Sequence, residues 1–204
     1  MRRLAFALLG FAALAGVVFI GSGCQRDNVL RITEINGNAP IFSDLADWGV
    51  YNDPTVPDSE EDPEMTYIVE SDLATIELQY VEIGSGLPTW TPYQALVHKG
   101  VIKFKAQSGA AYPEVTLPMN IAVVADREGR RTVNATAELV PGWWKEQNFG
   151  DDIEEPPDYG VVEVLEATLT VTAMDSISGR EVIAQGKYQI VVGNFYDDPE
   201  AFGN

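Results

Sequence analysis

The amino-acid sequence predicts an all-β protein, an antiparallel two-sheet sandwich of about eight strands. Three observations carry that expectation. From Val29 onward apolar residues recur with period two, the runs are rich in β-branched residues, and none of them has the 3.6-residue spacing of a helix. Strands with one dry and one wet face bury the dry faces against a common core, and antiparallel sheets do this with short connections. A chain of 204 residues has room for one moderate domain, and 46% hydrophobic residues supply its core.

The strands follow in chain order. Residues 29–35 and 65–70 are short candidates. Ile76, Leu78 and Tyr80 share a face opposite Thr75, Glu77 and Gln79. Residues 96–105 form another short candidate. Val115, Leu117, Met119, Ile121 and Val123 alternate next, then Val133, Ala135, Ala137 and Leu139. Leu165, Ala167, Leu169, Val171 and Ala173 form the longest run, and Tyr188, Ile190 and Val192 the last. The phase slips between Tyr80 and Val81 and again between Val164 and Leu165, which marks bulges or a change of sheet. Pro118 has no N–H to donate, so its strand is expected at an edge or broken there. Residues 125–131 and 175–181 read as hairpin turns, each polar with a late glycine. Proline, tryptophan and acidic residues make 46–64 and 141–160 read as long loops. The sum fits an Ig-like or fibronectin-like sandwich, with a jelly roll or a partly closed barrel as alternative.

The first 23 residues have a different composition. Arg2 and Arg3 precede seventeen uncharged residues, Leu4 to Ile20, and then Gly21-Ser22-Gly23-Cys24. That is the order of a secretory signal peptide: basic start, apolar middle, small residues, cleavage point. Cysteine after small residues resembles the lipobox of bacterial lipoproteins, with Gly21 standing where that family most often has Leu. The resemblance implies cleavage before Cys24, a diacylated thiol and an acylated new amine. The chain then divides into a signal peptide at 1–23, a lipidated tether at 24–28 and a folded domain at 29–204. Each buried CH2 adds about 0.8 kcal/mol, so one acyl chain holds marginally and two or three hold stably. Plain secretion and a retained membrane helix over Leu4 to Gly23 are the competing readings. Cys24 is the only cysteine, which also excludes a disulfide framework. Gln25, rather than Asp, follows it; by the same resemblance the outer membrane is favoured if the source has one.

Beyond the lipobox, Val29-Leu30-Arg31-Ile32-Thr33-Glu34-Ile35-Asn36-Gly37 opens the domain, and Val191-Val192-Gly193-Asn194-Phe195-Tyr196-Asp197-Asp198 approaches its end. Together these ends resemble uncharacterised bacterial lipoproteins with an Ig-like β-sandwich. The resemblance covers the ends better than the middle and implies location and fold, with no known activity.

Charge excludes one class of function. The formal net charge is −18, and after removal of residues 1–23 eleven basic side chains against 31 acidic ones leave −20. Nucleic acid needs clustered Lys and Arg and is not an expected partner. Anionic headgroups repel such a body, so it is expected to hang from its lipid rather than lie on the bilayer. One histidine, His98, argues against a histidine metal site or a catalytic triad.

Three constellations remain. Asp151, Asp152, Glu154, Glu155 and Asp158 form one acidic cluster, and Asp53, Asp58, Glu60, Glu61, Asp62 and Glu64 another. Either is a candidate for weak calcium binding, since calcium takes six to eight oxygens from flexible loops, but neither has EF-hand spacing, and a solvated, self-repelling loop is the favoured reading. Asp197, Asp198 and Glu200 read as a frayed tail. Adjacent Trp143 and Trp144 cannot both face the core of one strand, so one points outward or the segment is a loop over a sheet edge. Contact with a protein or glycan partner is one reading, and a loop that uses one Trp to plug the open end of the sandwich is the competing one. No Gly-x-Ser-x-Gly elbow is present. The expected function is a lipid-anchored envelope interaction or structural module without catalysis. A calcium-stabilised adhesion or glycan-binding module is the alternative, and a carbohydrate-active enzyme ranks below both. Cys24→Ala should abolish acylation, leaving a chain whose intact mass shows no added fatty chains.

Overall fold

A computed structural model describes residues 29–51, 64–81, 93–126, 128, 130–153 and 160–195. It contains β1 (Val29–Ile35), β2 (Ile41–Asp44), β3 (Asp47–Tyr51), β4 (Glu64–Ile68), β5 (Asp72–Val81), β6 (Gln94–Ala106), β7 (Val115–Asp126), β8 (Val133–Val140), α1 (Gly142–Ile153), β9 (Gly160–Asp175) and β10 (Glu181–Asn194). The residues flanking Cys24 and the tether, 1–28, lie outside the described residues, as do Glu154, Glu155 and Asp158.

The antiparallel two-sheet sandwich, Ig-like or fibronectin-like, is not what forms. Eight strands make one mixed sheet in the order β1-β5-β7-β6-β9-β10-β2, with β8 also on β5, and the sheet curls into a half-barrel. Two pairings are parallel: β10 with β2, from Ile190↔Ile41 to Gly193↔Asp44, and β5 with β7 at Tyr80↔Ala125 and Val81↔Asp126. β3 and β4 form a separate antiparallel pair. This lies closer to the partly closed barrel than to the sandwich. The physical reason for the error is that alternation reports a dry face for each strand. It does not report whether two dry faces belong to two sheets or to one sheet bent on itself.

The alternation itself falls as read. Ile76, Leu78 and Tyr80 are buried, and so are Leu165, Ala167, Leu169, Val171 and Ala173. The slip near Tyr80 places Gln79 and Tyr80 both inside. The slip before Leu165 accompanies a bulge where Val192/Gly193 faces Glu163/Val161. Pro118 sits within an unbroken β7, opposite a bulge between Val97 and Lys99 of β6. The segment 175–181 is a hairpin turn, with Glu181 paired to Met174 and Gly179 at φ +64°. The segment 125–131 is not: β7 and β8 both run along β5 instead of pairing with each other.

Two local features bend the sheet closed. After β1, Asn36, Gly37 and Asn38 all have positive φ, between 51° and 61°, a left-handed turn that Asn and Gly tolerate best. Asn36 Nδ2 ties this turn by donating to the carbonyls of Ala39 and Pro40, at 3.2 and 3.1 Å. On the inner face of β10, Gly186 lets β1 approach; a Cβ there would stand 2.9 Å from Ile32 Cγ2 and 3.0 Å from Ile35 Cδ1. The first strand in the order thereby meets the sixth across the core. Gly186→Val should lower stability by about 1–3 kcal/mol through overpacking, read as a fall in denaturation midpoint, whereas Gly150→Ala, with open space around it, should not.

Candidate functional site

The segment 141–160, expected as a loop, begins as the helix α1. Pro141 starts it: its carbonyl accepts the N–H groups of Trp144 and Lys145 at 3.0 and 3.1 Å. The buried face is Gly142, Trp144, Lys145, Phe149 and Ile153. The recurring steps of three and four are helical, but a lysine and a glycine occupy two of the positions and hide the stripe.

Trp144 is the plug. It is fully buried, its indole packs on Phe104 at a centroid distance of 4.3 Å and on Tyr112 and Phe149, and its Nε1–H donates to the Pro113 carbonyl at 3.1 Å. Trp143 is 54% exposed. It follows Gly142, whose N–H donates to Ser71 Oγ at 2.9 Å and whose Cα lies so close to the Val69 carbonyl that a Cβ would sit 2.8 Å from it. The 69–71 turn is flanked by Ile68 and Leu73, both more than half exposed. Trp143 thus points outward from a helix that is fixed from below, next to the glycine that packs on the 69–71 segment.

Lys145 does part of that fixing, and no sequence signal announced it. Its Nζ is buried, donates to the Asp44 carbonyl at 2.5 Å and pairs with Asp72 at 3.3 Å. Ser43, also buried, donates to the same Asp72 oxygen at 2.6 Å. Burial pushes the Asp72 carboxyl above its ordinary value, against the pull of Ser43 and Lys145. Serine, lysine and carboxylate converge here, yet Ser43 and Lys145 have essentially no contact with solvent. The cluster is a buried tie between α1, β2 and β5.

A second buried group lies at the opposite end of the strands. Asp175 accepts hydrogen bonds from Tyr80 Oη and, at 2.7 Å, from Tyr93 Oη, whose rings stack at 5.7 Å. Its other oxygen accepts the N–H groups of Ile177 and Ser178 at 2.9 and 2.8 Å. Burial pushes its carboxyl up, but these four donors outweigh burial and hold it at about 2. A concavity of about 580 Å³ opens where β6, β9 and β10 adjoin, lined by Lys105, Glu166, Lys187 and Tyr188 among others. Lys187 pairs with Glu166 there at 2.9 Å. The Tyr188 hydroxyl is buried with no hydrogen-bond partner among the described residues, and burial pushes its phenol up.

Of the acidic cluster at 151–158, only Asp151 and Asp152 fall among the described residues. Asp151 and Asp152 are exposed on the last turn of α1, where the helix dipole already disfavours carboxylates, and Glu154 and Glu155 lie outside the described residues. Among the described residues no three His, Cys, Asp or Glu side chains converge to hold a metal ion. None of the described helices is long and apolar enough to cross a membrane. No family model matches the chain, and no curated protein or solved structure matches it.

Asp175 has a depressed carboxyl, so its folded form binds fewer protons than the unfolded chain just above the folded value. Its stabilisation is present above the ordinary 3.8 and is lost as pH falls toward about 2. Denaturant midpoints should fall across that window. Asp175→Asn should flatten this limb and lower stability at neutral pH by about 2–3 kcal/mol, the usual loss for hydrogen bonds to a buried charge.

Proposed function

We propose that this chain is a lipid-anchored interaction or structural module of the cell envelope, without catalytic activity. Acyl chains on Cys24 hold it to the membrane, the outer one where the cell has two. An envelope protein is the partner that this reading favours; an envelope glycan is the competing one. The observation that carries it is Trp143, more than half exposed on a helix fixed by buried Trp144 and Lys145. A rigid aromatic on a pinned element loses little entropy on binding, the property of an interface anchor. The absence of catalysis fits the closure of the Ser43, Asp72 and Lys145 cluster from solvent. The module needs no resident cofactor on this reading, and millimolar calcium or chelator should leave its melting temperature unchanged.

A photo-crosslinking residue at 143, in the native lipidated protein in its own membrane, should give one discrete protein adduct. A smear, or an adduct retained when Leu73→Glu is added, would overturn the contact. Trp143→Ala should change stability by less than about 0.5 kcal/mol. Trp144→Ala should lower it by about 3–5 kcal/mol, measured by denaturant titration.

A further inference from the structure

The strand register defines two ends of the half-barrel. Val29, where the tether joins the domain, pairs with Val81, and Val81 pairs with Asp126. Val124 of the same strand pairs with Gln94, and Ala95 with Asp175. The start of β1 and the 175–181 hairpin therefore lie at one end. Residues 24–28 are five, and an extended chain reaches at most about 3.6 Å per residue, so Cys24 stands within roughly 18 Å of Val29.

Two features of that end coincide, although exposed apolar side chains such as Phe42, Leu73, Trp143 and Val161 also occur at the other end. First, it carries an outward apolar stripe. Leu96 and Met174 are direct register partners on adjacent strands, and Val124 and Ile183 lie diagonally beside them on the same outward face. These four side chains are between 41% and 58% exposed, and Ile177 in the hairpin turn is 46% exposed. Second, every described arginine is there: Arg31 near the start of β1, Arg130 and Arg131 after β7, and Arg180 in the hairpin. Asp126 fixes two of them by accepting the N–H groups of Arg130 and Arg131 at 2.6 and 2.7 Å. Lys99 follows Leu96 on the outward side of β6. In a chain of net charge −18, this end sets its arginines against Asp126, Glu128, which pairs with Arg130 at 3.2 Å, and Glu181, the register partner of Met174. Positive and negative charge are therefore mixed there, while exposed Asp151 and Asp152 lie at the other end.

We infer that the tether end docks on the bilayer that the Cys24 acyl chains enter, with the Leu96, Val124, Met174 and Ile183 stripe in the headgroup boundary and the arginines at phosphate level. This rests on the lipid-anchor reading. Apolar side chains enter that boundary and arginines reach from it to phosphate. The short tether supplies the high local concentration that a weak surface contact requires. The charge of the whole chain predicts a body hanging clear of the membrane; mixed charge at this end weakens that repulsion locally, and the apolar stripe supplies the attraction. Trp143 faces away from the lipid.

Hydroxyl-radical footprinting tests this without a label. The acylated protein is placed in phosphatidylethanolamine/phosphatidylglycerol vesicles and compared with the unacylated chain from residue 24, which keeps every described residue. Met174 oxidation should fall at least fivefold on the vesicles, with Trp143 oxidation unchanged. Leu96→Lys with Ile183→Lys, both outward, should restore Met174 oxidation while the protein still sediments with the vesicles. Unchanged Met174 oxidation on sedimented protein overturns the docking and leaves the anchor standing. Protection of Met174 in the unacylated chain that grows with protein concentration also overturns it, by assigning the stripe to a second copy. If intact mass shows no acyl group on Cys24, the anchor reading fails. Coupling the Cys24 thiol to a maleimide lipid then supplies the tether, and the same footprint decides the docking.

Discussion

The carboxylate of Asp175 holds the two wings of the curled sheet to each other. It belongs to β9, and it receives hydroxyl hydrogen bonds from Tyr80 of β5 and Tyr93 at the start of β6, while the hairpin turn caps its other oxygen. β5 and β7 pair directly through only two register positions. A join that short leaves the wings to be positioned by what crosses the core. A buried charge with four donors suits that task, because each donor it loses leaves an uncompensated charge. The clasp also places the 175–181 hairpin at the same end as the start of β1, so the composition of that end depends on it.

The far end is closed by other means. There the helix lays Trp144 over Phe104 and Phe149, and Lys145 reaches through to Asp72 and the Asp44 carbonyl. A buried ion pair adds little over an apolar replacement, yet removing one partner alone costs about 3–5 kcal/mol. Its effect is specificity of docking: α1 has one seat, set by the position of Ser43 and Asp72 on β2 and β5. The rigid seat is what lets the adjacent Trp143 present a fixed aromatic surface. The molecule is thus polarised, with a clasped end at the start of β1 and a plugged end that carries an exposed tryptophan.

The candidate site was legible in part. The adjacency of Trp143 and Trp144 required that they face opposite ways, and one is buried while the other is exposed. Their helix was not legible, because Lys145 and Gly142 stand on its buried face and break the apolar stripe that marks a helix in sequence. Asp175 read as an ordinary turn residue, since its two tyrosine partners lie 95 and 82 positions away. The acidic pair Asp151 and Asp152 followed composition alone, and composition carries no geometry.

Local chemistry settled the strand faces, the phase slip near Tyr80, the bulge before Leu165, the left-handed turn that Asn36-Gly37-Asn38 allows, and the composition of the first 24 residues. Those properties depend on neighbours two or three positions away, and a linear chain displays them. Pairing of strand edges does not. That β2 lies parallel to β10, that β7 and β8 divide one edge of β5, and that Gly186 admits β1 to close the half-barrel are matters of distant groups meeting in space. Backbone hydrogen bonds are alike at every residue, so only packing across the core selects among the pairings that the same alternation permits.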